Sequence, residues 1–158
     1  MNILMASDIC DLTPAWLKER GVRAVLADLD NTLAGYRANE PDAAVALWMA
    51  ALKEAGIALM IVSNAKEERV AAFCAPLGLP YLARAGKPGG RGMLEAVKRL
   101  RMSAAETVMV GDQYFTDIRA GRKAGLRTVL VNPRIKGFWF TLRRLYETPF
   151  IAGKAEKL

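Results

Sequence analysis

Val22-Arg23-Ala24-Val25-Leu26-Ala27-Asp28-Leu29-Asp30-Asn31-Thr32 is the stretch that decides the fold. A compact apolar run with a single arginine suits a buried strand, and it stops abruptly at two aspartates. The same pattern recurs along the chain. Ile57 to Val62 ends at Ser63-Asn64, Thr107 to Val110 at Gly111-Asp112, and Thr128 to Val131 at Asn132-Pro133. A shorter strand near Tyr81 to Ala83 leads to Gly86-Lys87-Pro88. Helices fill the intervals. Thr13 caps one that Pro14 opens and Gly21 closes, and Asp42 caps another whose Val45, Leu47, Trp48, Leu52 and Ala55 recur at helical spacing. Further helices are expected from about Lys66 to Pro76, from a first turn holding Pro88, and across Asp117 to Lys123; Ser103 to Glu106 leaves room for one capped turn. Near-continuous apolar strands alternating with helices predict a doubly wound α/β domain with a parallel sheet, one domain over residues 1–158.

In such sheets ligands bind beyond the carboxyl ends of the strands. Asp28, Asp30, Ser63, Asn64, Lys87, Asp112 and Asp117 all fall at those ends. Carboxylates gathered without thiolate or imidazole form a hard, all-oxygen site, for which Mg²⁺ is the ordinary cation when a phosphate and waters complete the shell. Lys87, the Ser63 hydroxyl and the Asn64 amide supply contacts for a substrate phosphate. The set points to phosphoryl transfer, with Asp28 as nucleophile through an aspartyl-phosphate and Asp30 as general acid and base.

Composition removes the competing chemistries. Of 158 residues none is histidine, so Ser-His-Asp and Cys-His pairs, His-ligated metals and phosphohistidine are excluded together. Cys10 and Cys74 lack a redox or phosphate-loop spacing and read as reduced, packed thiols. The amino terminus meets Asp8 and Asp11 without a basic region, which makes it a poor signal peptide, and the apolar stretch from Ala43 to Val62 is broken by Lys53, Glu54 and Gly56. A cytoplasmic protein is expected, with a peripheral seat on the inner face of a membrane as an added expectation. The formal net charge is +7, and residues 84–144 hold 14 basic against 4 acidic side chains, which suits anionic partners.

These residues resemble the haloacid dehalogenase (HAD) superfamily. Asp28-Leu29-Asp30-Asn31-Thr32 is similar to its first motif, Ser63 to its second, Lys87 to its third and Gly111-Asp112-Gln113-Tyr114-Phe115-Thr116-Asp117 to its acidic fourth, in that order. The resemblance implies a phosphatase in which Mg²⁺ is held by the Asp28 carboxylate, the Asp30 main-chain carbonyl and Asp112. It further implies that Thr32 steadies the first loop, that Lys87 neutralises charge between nucleophile and phosphate, and that Asp117 orients Lys87 or binds metal water. Ser63-Asn64-Ala65, Gly86-Lys87-Pro88, Val131-Asn132-Pro133 and the tail around Arg143-Arg144-Leu145-Tyr146-Glu147 are similar to the capless subfamily IIIA phosphatases labelled YqeG. That group is in turn similar to phosphatidylglycerophosphate phosphatases, which implies a phosphorylated substrate with a lipid headgroup.

Spacing leaves no room for a lid domain between Asp30 and Ser63 or between Ser63 and Lys87. Water must then be excluded by the substrate, a subunit or a surface. A basic aromatic helix is expected over about 137–148, with Phe138, Trp139, Leu142, Leu145 and Tyr146 on one side and Arg143 and Arg144 elsewhere. Core packing or a subunit contact is the favoured role for it, ahead of a seat at an anionic membrane interface. Two alternatives stand beside the lipid reading: a phosphatase of soluble sugar or nucleotide phosphates with an oligomer partner as lid, and a non-catalytic nucleic-acid or membrane-binding module. Nucleic acid is disfavoured, because neither an RNA-binding aromatic signature nor a helix-turn-helix pattern is present. The oligomeric state is left open.

Overall fold

The computed structural model describes residues 3–134 and 137–158. Strands β1 (Ile3–Ala6), β2 (Ala24–Ala27), β3 (Ala58–Val62), β4 (Tyr81–Leu82), β5 (Thr107–Gly111), β6 (Arg127–Val131) and β7 (Ala155–Lys157) form one sheet in the order β4-β3-β2-β5-β6-β1-β7. Every neighbouring pair is parallel. The helices are α1 (Pro14–Glu19), α2 (Ala43–Glu54), α3 (Glu67–Cys74), α4 (Arg91–Arg99), α5 (Arg119–Lys123) and α6 (Phe138–Ile151). The expected α/β architecture with no inserted cap is what forms.

Alternation along each strand divides the core between the two faces. Val25, Ala27, Leu59, Ile61, Val108 and Val110 share one cluster with Leu17 of α1, Trp48 and Leu52 of α2 and Phe73 of α3. Leu26, Met60 and Met109 point the other way, into a cluster with Met93 and Val97 of α4 and Ala120 of α5. Both faces are thus covered, which is why the central strands carry so few polar residues. Asp42 and Thr13 cap as expected, accepting from the Val45 and Trp16 amides.

Two sequence expectations need correction, and two strands carry no sequence signal of their own: β1 is four residues long and β7 is Ala-Glu-Lys with every side chain exposed. Their pairing is set by partners far away in sequence. Pro88 does not open a helix: α4 starts at Arg91, and Pro88 lies in the turn before it. The tail helix runs to Ile151, and only its far end is core: Ile151 is buried with Ile3 and Ile118, and Tyr146 and Phe150 pack on Phe115 at ring-centroid distances of 5.4 and 5.0 Å. Phe138 and Trp139 are 75% and 78% exposed, and Leu145 and Tyr146 are exposed as well. Its polar side turns inward instead. Glu147 is buried and accepts the Tyr114 N–H at 2.9 Å.

Candidate active site

β2 and β5 lie side by side at the middle of the sheet, so their carboxyl ends bring Asp28 and Asp112 to one rim. Asn31, at φ +65°, bends the chain after β2, a conformation that asparagine tolerates better than most residues. Its amide bonds the Ala34 carbonyl at 2.7 Å, and its carbonyl accepts the Arg134 N–H at 2.9 Å, which ties the turn to the segment after β6. Beyond β5 a wide π-type turn over Tyr114–Ile118 precedes α5. This turn returns Asp117 to the rim, where its Oδ2 accepts the Gln113 N–H at 3.1 Å.

Lys87 is the hub. Its Nζ donates to Asp28 Oδ1 at 2.7 Å and to Asp117 Oδ1 at 2.6 Å, and all three side chains are buried. Burial alone would lower its pKa, but Asp117 and Asp28 outweigh that and hold the ammonium well above its ordinary value. Burial pushes the Asp28 carboxyl up to about 6, against the pull of Lys87. Burial likewise raises Asp117 against Lys87, and Asp112 against Arg143.

Asp28, Asp112 and Asp117 each offer an oxygen within 4.8 Å of the others, all buried. Oxygens so close, with no thiolate or imidazole among them, fit a small hard cation such as Mg²⁺, whose ligands sit about 2.1 Å from the ion. Gly111 makes the cluster sterically feasible. A Cβ there would lie 2.3 Å from Asp117 Cγ.

The remaining expected residues fall around this core. Thr32 Oγ1 reaches towards Asp112 Oδ1 at 3.4 Å. Ser63 is buried and its Oγ accepts the Ala65 N–H at 3.1 Å. Asn64 brackets the main chain of Lys87: its Oδ1 accepts the Lys87 N–H and its Nδ2 donates to the Lys87 carbonyl, both at 2.8 Å. The Asn64 amide is therefore engaged in holding the lysine. The Asp30 carboxylate stands outside the three-acid group, with Oδ1 accepting from Arg69 Nη2 at 2.8 Å and from the Arg37 N–H at 2.9 Å. Asp28, Asp30, Ser63 and Asn64 nevertheless line one cleft of about 360 Å³.

Two arginines outside the sequence motifs for the site also reach its carboxylates, Arg69 at Asp30 and Arg143 at Asp112. Arg69 comes from the first turn of α3, and its only sequence signal is its nearness to Ser63-Asn64. Arg143 comes from α6 and donates from Nη2 to Asp112 Oδ2 at 2.7 Å and to the Asp112 carbonyl at 3.2 Å. Its sequence signal is its place in the tail pattern Arg143-Arg144-Leu145-Tyr146-Glu147, which carries no periodicity pointing to Asp112.

Comparison with known proteins agrees with this geometry. The family model for haloacid dehalogenase-like hydrolases matches residues 11–125. The chain is 41% identical over 128 residues to the probable phosphatase YqeG of Bacillus subtilis, covering 80% of this chain and 73% of that protein. It is 34% identical over 139 residues to the chloroplastic phosphatidylglycerophosphate phosphatase 1 of Chlamydomonas reinhardtii, covering 82% of this chain and 52% of the relative. The chain thus spans about half the length of the algal protein. Among solved structures, the cobalt-bound deoxy-D-mannose-octulosonate 8-phosphate phosphatase of Haemophilus influenzae shares the fold, with a TM-score of 0.58, 18% identity, and coverage of 83% of this chain and 90% of that one. A putative subfamily III A hydrolase from Legionella pneumophila superposes with a TM-score of 0.53 at 18% identity, covering 72% of this chain and 67% of the other. Four motif positions on one rim, a matching family model and the B. subtilis relative converge: the chain belongs to the haloacid dehalogenase-like hydrolases and is one of that family's phosphatases.

Proposed function

We propose that the protein is a Mg²⁺-dependent phosphomonoesterase that works through an aspartyl-phosphate on Asp28, with phosphatidylglycerophosphate as its leading substrate. The observation that carries this is the Lys87 bridge between Asp28 and Asp117, next to a third carboxylate on Asp112. Asp28, Asp112 and the Asp30 main-chain carbonyl would hold the ion, which when bound supplies charge stabilisation for the transferring phosphoryl group. Lys87, fixed by Asn64 and Asp117, orients the Asp28 carboxylate and presents its ammonium to the phosphate. The Ser63 hydroxyl adds a donor. Asp28 forms a bond to phosphorus as the phosphorus–oxygen bond to the alcohol breaks, and Asp30 delivers the proton that the leaving oxygen takes up. Asp30 then removes a proton from the water that attacks the acyl phosphate, so inorganic phosphate leaves and Asp28 returns as a carboxylate. Among the described residues Asp30 Oδ2 carries no hydrogen bond, which leaves it free for this exchange.

The lipid substrate is supported by the algal relative and by the open, capless cleft. No helix is long and apolar enough to cross a membrane among the described residues. The exposed Phe138, Trp139, Leu142 and Leu145 of α6 and the net charge of +7 support a peripheral seat on an anionic lipid surface. The test is hydrolysis of an aryl phosphate with and without Mg²⁺ by the wild type and by Asp28→Asn. Activity is expected only for the wild type with Mg²⁺, and equal rates for the two proteins would refute the nucleophile. A comparison of phosphatidylglycerophosphate in mixed micelles with soluble sugar and nucleotide phosphates tests the substrate, and a clear preference for a soluble ester would remove the lipid.

A further inference from the structure

The catalytic cleft has a neighbour. A second cavity of about 470 Å³ lies between the loop after β2 and the start of α6, lined by Tyr36, Pro133, Phe138, Trp139 and Phe140. Asn31, Tyr36 and Arg143 line both this cavity and the catalytic cleft, so the two share one seam. Arg143 at that seam is already anchored on Asp112. Arg143 is held from its other side as well, with Nε 4.0 Å from Glu147 Oε1, so the guanidinium is fixed in place where the two cavities meet. An aromatic-lined cavity that adjoins a phosphate site along one seam matches the other half of an ester: an alcohol with an apolar body beyond the phosphate.

Resting on the phosphatase reading above, we propose that this cavity is the leaving-group subsite, that it selects phosphate monoesters whose alcohol carries an apolar group, and that Trp139 and Phe138 are its specificity-determining residues. Chemistry proceeds on the Lys87 side of the seam, while the tail helix grips the departing alcohol. The exposure of Phe138 and Trp139 follows, because in the free protein one wall of the chamber faces water. Burying apolar surface on two sides of a ligand is worth about fourfold in affinity per fully covered methylene, so even a partly open chamber gives a readable signal.

The experiment measures binding of ethylphosphonate and octylphosphonate by calorimetry, with Mg²⁺ present and below the micellar concentration. The proteins are the wild type, Trp139→Ala, Phe138→Ala and Leu145→Ala, the last on the same helix but outside the cavity. Octylphosphonate is expected to bind the wild type at least tenfold tighter than ethylphosphonate. That ratio should fall at least threefold in Trp139→Ala and Phe138→Ala and persist in Leu145→Ala. Equal affinities for the two phosphonates, or a ratio that survives both aromatic substitutions, would overturn the subsite. Hydrolysis of the matching alkyl phosphates is followed in parallel. An intact chain-length ratio in binding without Mg²⁺-dependent turnover would refute the catalytic reading alone and leave the subsite standing. Monomeric dihexanoyl-phosphatidylglycerophosphate against phenyl phosphate then separates a lipid from an aryl ester as the source of the apolar group.

Discussion

Arg143 Nη2 sits 2.7 Å from Asp112 Oδ2, joining a helix near the end of the chain to the carboxyl end of a central strand. Asp112 is fully buried, and its guanidinium partner is the nearest charge that offsets the cost of burying it. Removing Arg143 therefore acts on stability and on cation binding in opposite directions. Arg143→Ala is expected to lose about 1–3 kcal/mol in urea unfolding without metal, because a buried acceptor is left unpaired. Its affinity for Mg²⁺ by calorimetry is expected to rise severalfold, since no guanidinium competes for Asp112. Weaker Mg²⁺ binding would show that Arg143 supports the ion.

Burial raises the Asp28 carboxyl to about 6, whereas an unfolded aspartate titrates near 3.9. Between those two values the folded metal-free protein holds more protons than the unfolded chain, so stability falls as pH rises through this window. Asp112 and Asp117 are raised as well and act in the same direction. Metal-free unfolding followed from pH 4 to pH 7 should show that loss, with a shallower slope for Asp28→Asn. An identical slope in the variant would remove Asp28 as a source of the dependence.

Asn64 makes two hydrogen bonds of 2.8 Å to the Lys87 main chain and thereby sets where the ammonium stands. Asn64→Ala should cost about 1–3 kcal/mol in stability and lower kcat at least tenfold on an aryl phosphate. KM should change less than kcat. A variant whose loss lies wholly in KM would mark Asn64 as a substrate contact instead.

Gly111 lets Asp117 close on Lys87, because a methyl group there would overlap Asp117 Cγ. Gly111→Ala is expected to destabilise the fold by about 1–3 kcal/mol through this overlap and to weaken Mg²⁺ binding by displacing a member of the acid cluster. Unchanged cation affinity would separate Asp117 from the metal-binding set.

The sequence by itself determined the layering and the chemistry. Apolar runs of strand length that stop at Asp28, Ser63 and Asp112 dictate a covered parallel sheet with oxygen ligands on one rim, because alternating neighbours and strand ends are local properties. The lack of histidine excluded Ser-His-Asp and Cys-His pairs and His-ligated metals from composition alone. Tertiary structure alone decided the rest. The short exposed β7 exists through its pairing with β1, and Arg143 reaches Asp112 because α6 turns its polar side inward. Asn64 was legible as polar, but its work on Lys87 depends on two loops meeting. Contacts between segments far apart in the chain leave no periodic signature within either segment, so the apolar pattern of the tail does not distinguish the packed end of α6 at Ile151 from its exposed end at Phe138 and Trp139.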